Sequence, residues 1–129
     1  MPDGWTLERD ETPVSTYFES MWRNPRDGST YLKVDVVDGE TLAPATKAAQ
    51  VRAATSRTPG YREVSFAPTR VDGRDAFRWV FRISGSTRVD TFVNACNRGY
   101  AILGSAPSGS FDRYAPTFRV ATASLRPRC

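Results

Sequence analysis

The side chains that could do chemistry in this chain are loop carboxylates, two cysteines, one Gly/Ser-rich turn, and aromatics set among arginines. The carboxylates fall in three places: Asp10-Glu11, Asp38-x-Glu40 and Asp72-x-x-Asp75. A working acid and base need two carboxyls converging in one cleft, and nothing in these spacings forces that. They read as solvated turn formers. Histidine is absent, which removes the commonest general base, the imidazole metal ligands and every His-dependent triad. Cys96 and Cys129 alone cannot build a structural zinc site, so no metal is expected.

The run Gly104-Ser105-Ala106-Pro107-Ser108-Gly109-Ser110 leads into a helical pattern. Free backbone N–H groups at a helix start could hold an anion, with Ser108 or Ser110 capping. The run is neither a phosphate-binding Walker loop nor a Gly-x-Ser-x-Gly elbow, so a capped strand-to-helix connection is the plainer reading. Ser108, Gly109 and Ser110 stay as ligand-binding candidates. So do Trp5, Tyr17 and Trp22 on the N-terminal strands, where an open face beside arginines would suit a glycan, a peptide or a lipid headgroup. Burial in the core competes with that use. Arg98-Gly99-Tyr100-Ala101-Ile102-Leu103 opens like an RNA-binding strand but lacks the later aromatics that stack on bases. There Gly99 reads as a turn residue and Tyr100 as packing.

Composition sets the class. The chain has 129 residues, 40% apolar and 25% charged, which suits one ordinary globular domain over residues 1–129. Its net charge of +4 comes from 16 Arg and 2 Lys interleaved with acids, a mixed-charge surface rather than a nucleic-acid footprint. No stretch approaches the roughly 20 apolar residues of a membrane span. The start shows no basic and apolar leader pattern, which points to a compact cytoplasmic protein or to a domain of a longer chain.

Short strands must position these residues. Strands are expected over residues 4–9, 14–23 and 30–37, the last two joined by the turn Asn24-Pro25-Arg26-Asp27-Gly28. A helix over 43–57 follows, with an alanine-rich apolar side, Pro44 in its first turn and Thr58-Pro59-Gly60 beyond its end. Then come strands over 61–69, 74–84, 87–97 and 99–106, whose short breaks require an antiparallel meander. In the central hairpin Phe77, Trp79, Phe81 and Ile83 share one face. A Gly85-Ser86-Thr87 loop would set Trp79 opposite Val93, Phe81 opposite Thr91 and Arg82 opposite Asp90, a register favoured by burial and cross-strand charge. The last strand is apolar on both faces and so belongs mid-sheet. A helix over 110–124, containing Pro116, closes the chain.

Pro2-Asp3-Gly4-Trp5, Tyr31-Leu32-Lys33-Val34, the segment 73–81, Arg98-Gly99-Tyr100-Ala101 and the 111–127 stretch together resemble the PsbP-like α/β/α sandwich group. More narrowly, they are similar to the extracytoplasmic C-terminal domains of actinobacterial serine/threonine protein kinases and related lipoproteins. The resemblance implies an α+β fold, an antiparallel sheet of about six to seven strands with a helix on each face. It also implies a non-catalytic sensor or interaction domain, without cofactor, held outside the membrane as part of a longer anchored chain. Kinase catalytic motifs are absent from the chain. The expected partner is an unidentified ligand or protein, with no nucleic acid and no membrane contact by this segment. The alternative is a small cytoplasmic binding protein or enzyme. A helix returning across the sheet would bring Cys129 to the strand end at Cys96, so a Cys96–Cys129 disulfide is expected in an oxidising compartment.

Overall fold

The computed structural model describes residues 4–10 and 17–127, without the side chains of residues 8–10, 17 and 18. Asp10-Glu11 as a side-chain pair, the Tyr17 ring and Cys129 lie outside the described residues. The elements are β1 (Thr6–Asp10), β2 (Tyr17–Arg23), β3 (Tyr31–Asp38), α1 (Pro44–Thr55), β4 (Arg62–Val71), β5 (Arg74–Ile83), β6 (Ser86–Ala95), β7 (Arg98–Pro107) and α2 (Phe111–Ala123). All strand pairs are antiparallel, in one seven-stranded sheet ordered β1-β2-β3-β7-β6-β5-β4. The doubly apolar β7 is the central strand, as its sequence requires.

Each face carries one helix. On one side Ala48 of α1 is fully buried against Trp79, Phe81, Ile83 and Phe92. A helix this rich in alanine buries little area per residue, so docking on that aromatic layer holds it. On the other side Phe118 of α2 packs with Leu32, Val80, Val89, Val93 and Ile102. Gly104 permits this contact: a Cβ there would stand 2.3 Å from the Phe118 ring. α2 runs through Pro116, which lies inside it.

The meander turns on two-residue loops in which both residues have positive φ: Asp72-Gly73, Ser84-Gly85 and Cys96-Asn97. That is the hairpin geometry whose twist matches the flanking strands. It corrects the expected register. Trp79 pairs with Asp90, Phe81 with Arg88 and Arg82 with Thr87, not with Val93, Thr91 and Asp90. The burial argument presumed one wet face. Both faces of β6 are covered, with Val89, Thr91 and Val93 under α2 and Phe92 under α1, so burial could not choose and the turn did. Phe77, Trp79, Phe81 and Ile83 do share the α1 face.

Candidate functional site

Among the described residues α1 lies mainly over β5 and β6, with Arg52 reaching Glu63 and Phe66 of β4, and leaves part of β3 and β7 open on its side of the sheet. The uncovered ground beside the helix is a cavity of about 310 Å³. Val37, Val51, Phe92 and Ala101 make its apolar surface. Its charged lining comes from three directions: Lys33 and Asp35 from β3, Lys47 and Glu40 from α1 and its approach, and Asp90 from β6. Strand alternation explains the grouping, because Lys33, Leu103 and Asp90 form one cross-strand row and Asp35, Ala101 and Phe92 the next.

Most of these charges are held. Lys33 Nζ lies 3.4 Å from Asp35 and 4.0 Å from the buried Glu19. Lys47 pairs with Glu40 at 3.2 Å. Glu40 can lie across β7 only because residue 99 is glycine, since a Cβ there would meet its Cγ at 2.7 Å. Gly99 is thus a strand residue of close approach, and the turn before it is Cys96-Asn97. Asn94 Nδ2 donates to the Leu42 carbonyl at 2.8 Å, fastening the approach to α1.

Asp90 is different. Its Oδ1 is buried without a hydrogen-bond partner. Burial raises its carboxyl from 3.8 to about 7, with the Asp35 charge adding to the rise and Lys33 opposing it. Arg88 Nε and Ser105 Oγ are likewise buried and unpartnered. Arg88 stands two residues from Asp90 on the same face and directly opposite Ser105. Three unsatisfied polar atoms on adjoining positions of one sheet face are a concentrated departure from the rule that buried polar groups find partners.

The candidates named from sequence lie elsewhere. Trp5 packs edge-on to Tyr114 and Phe118, each at 6.3 Å, on the α2 side, and Trp22 is half-buried on β2. Ser108 bonds to Thr87 and to the Gly85 carbonyl, tying the β5–β6 turn to β7. Ser110 takes the N-cap place, but its hydroxyl donates back to the Pro107 carbonyl. Asp38 pairs with Arg98, Asp72 with Arg74 and Asp75 with Arg70. Among the described loop carboxylates only Glu40 reaches the cavity. Sequence reasoning missed Glu19, Asp35 and Asp90, whose signal was charge on alternate strand positions. Among the described residues no cluster of His, Cys, Asp and Glu is suited to a metal ion, and no helix is long and apolar enough to cross a membrane.

No family model matches the sequence, and no curated protein does. In structure the chain is similar to the cyanobacterial PsbP protein CyanoP of Synechocystis sp. PCC 6803, with a TM-score of 0.73 and 12% identity over 99% of this chain and 84% of that one. It is also similar to PA94 of Pseudomonas aeruginosa, a protein of unknown function described as a putative regulator. That match has a TM-score of 0.66 and 16% identity over 97% of this chain and 98% of the other. At these identities the likeness establishes the fold.

Proposed function

We propose that this PsbP-like domain is a non-catalytic binding module whose α1-side cavity takes a small organic ligand with a basic group. The unpartnered Asp90 carboxyl carries this reading. A ligand ammonium beside it would supply the missing hydrogen bond and counter-charge, while the ligand's carbon body met Val37, Val51 and Phe92. Lys33 and Lys47 are already engaged by carboxylates, which leaves a local excess of negative charge for a cation. Binding must ionise Asp90, so affinity should rise roughly tenfold from pH 6 to pH 8 and level off above about pH 7. A thermal-shift screen of small amines against matched carboxylic acids at both pH values tests this. Amines should stabilise the wild type and lose that effect in Asp90→Asn. Ligands that stabilise both proteins equally would remove the site.

One observation favours a second reading. A carboxyl raised to about 7 in a cleft near Asp35 is also what a general acid requires. The chain has no histidine, and among the described residues no nucleophile is paired to a base, so binding is preferred. Turnover in a hydrolytic screen, abolished by Asp90→Asn, would reverse the preference.

The resemblance drawn from the sequence supports a domain outside the cytoplasm, as the sensing or interaction part of a membrane-anchored serine/threonine kinase or lipoprotein. The description of PA94 as a putative regulator is compatible with such a role. Among the described residues there is no free cysteine thiol. A Cys96–Cys129 bridge would stabilise the domain by about 3–4 kcal/mol in the chain-entropy model. Intact mass after alkylation without reductant should show no label, and reductant should lower the melting temperature. Two readily alkylated thiols in folded protein would remove both the bridge and its support for an oxidising compartment.

A further inference from the structure

We propose that the groove between α2 and the β4–β5 edge, where an apolar floor meets unpaired arginines, docks an acidic peptide segment of a partner protein. α2 covers β6 and β7 but stops short of the sheet edge, leaving a groove of about 340 Å³ on the face opposite the Asp90 cavity. Its floor is Val71, Val89 and Phe118, all buried, flanked by Thr69 and Thr91. Every charged residue lining it is an arginine: Arg70, Arg78 and Arg119. Arg70 is engaged by Asp75. Arg78 and Arg119 are exposed and, among the described residues, form no ion pair.

The positive charge continues beyond the groove. Arg82 shares the α2 face with Arg78, about 13 Å further along β5 at roughly 3.3 Å per residue. Directly opposite Arg82 on the edge strand stands Arg62. Like charges at such a cross-strand position destabilise a sheet, and neither arginine forms an ion pair among the described residues. An anionic partner would convert that repulsion into binding energy.

The shape favours a peptide over other polyanions. A concave apolar floor accepts a side chain, and arginines spaced along a strand suit carboxylates about four residues apart on an extended chain. Phe118 is buried and half-buried Phe111 packs against it at 5.9 Å, so the groove lacks the row of exposed rings on which successive nucleic-acid bases stack. The groove recedes from solvent, whereas a membrane contact needs protruding apolar groups.

Fluorescence anisotropy with a labelled synthetic peptide, a leucine flanked on both sides by Glu and Asp, tests the proposal. Binding should weaken with salt, weaken when the peptide leucine becomes serine, and fall roughly tenfold in Arg78→Ala/Arg82→Ala. Arg119→Ala serves as an independent variant should the double variant lower the urea midpoint. Asp90→Asn should leave peptide affinity unchanged, so failure here is distinguishable from failure of the amine site. Absent binding, binding indifferent to these arginines, or peptide affinity altered by Asp90→Asn would overturn the proposal. Tighter Arg-dependent binding of a single-stranded oligonucleotide or of phosphatidylglycerol vesicles would also overturn it.

Discussion

Trp79→Ala is expected to destabilise the domain by about 3–5 kcal/mol, a large share of the stability of a single domain. Trp79 is 1% exposed. Its ring stacks on Phe81 at 4.0 Å, meets Phe66 edge-on at 6.5 Å, and its indole N–H donates to the Tyr61 hydroxyl at 3.0 Å. Truncation would open a void under α1 and strip the Tyr61 hydroxyl of its donor. Apart from the polar ties of Lys47 to Glu40 and Arg52 to Glu63, alanine-rich α1 rests on this layer, so the loss should appear as helix undocking as well as a lower urea midpoint. Trp79→Phe, which keeps most of the volume and loses only the N–H, should cost far less. A loss below about 1 kcal/mol for the alanine variant would mean that the aromatic layer under α1 is not a core.

Asp90→Asn should stabilise the unliganded domain, and only above mildly acidic pH. The unfolded chain releases the Asp90 proton near 3.8, whereas the folded state holds it to about 7. Between those values the folded state binds more protons, so wild-type stability falls as pH rises and levels off above about 7. Asparagine has no proton to lose and escapes that decline. The difference between the two pKa values sets a ceiling of about 4 kcal/mol. Because Asp90 is only partly buried as a residue, solvent screening should hold the effect below that ceiling at pH 8, with the two proteins converging near pH 4. Urea midpoints of both proteins measured from pH 4 to pH 8 check the sign. Parallel curves would show that Asp90 is ionised without strain and that the amine site has lost its physical basis.

Both experiments turn on the β5–β6 hairpin, where local reading and structure part company. Alternation along 74–84 correctly grouped Phe77, Trp79, Phe81 and Ile83, because side-chain direction in a strand is a local property of the backbone. Their partners on β6 were not legible from burial. With both faces covered, either register buries apolar side chains, and Ser84-Gly85 at φ of 50° and 76° decided the matter. Burial and cross-strand charge favoured a Gly85-Ser86-Thr87 loop, and neither criterion reports on a serine held at positive φ. The shift moved Asp90 from the expected place opposite Arg82 to one beside Trp79 where its Oδ1 is buried, and left Arg82 facing Arg62.

Local chemistry alone therefore determined the antiparallel meander, the existence of the two helices and the central place of β7. Each follows from hydrophobic period, turn residues and connection length, which act over a few residues. The cavity and the groove are products of coverage instead. Each helix packs mainly on two neighbouring strands of a seven-stranded sheet, and charges on strands far apart in sequence meet beside it. Glu19, Lys33, Asp35 and Asp90 come from β2, β3 and β6, and no spacing along the chain encodes which of their faces a helix will leave open. That choice is made by Ala48 on Trp79 and by Phe118 on Gly104, long-range contacts whose geometry exists only once the sheet has closed around them.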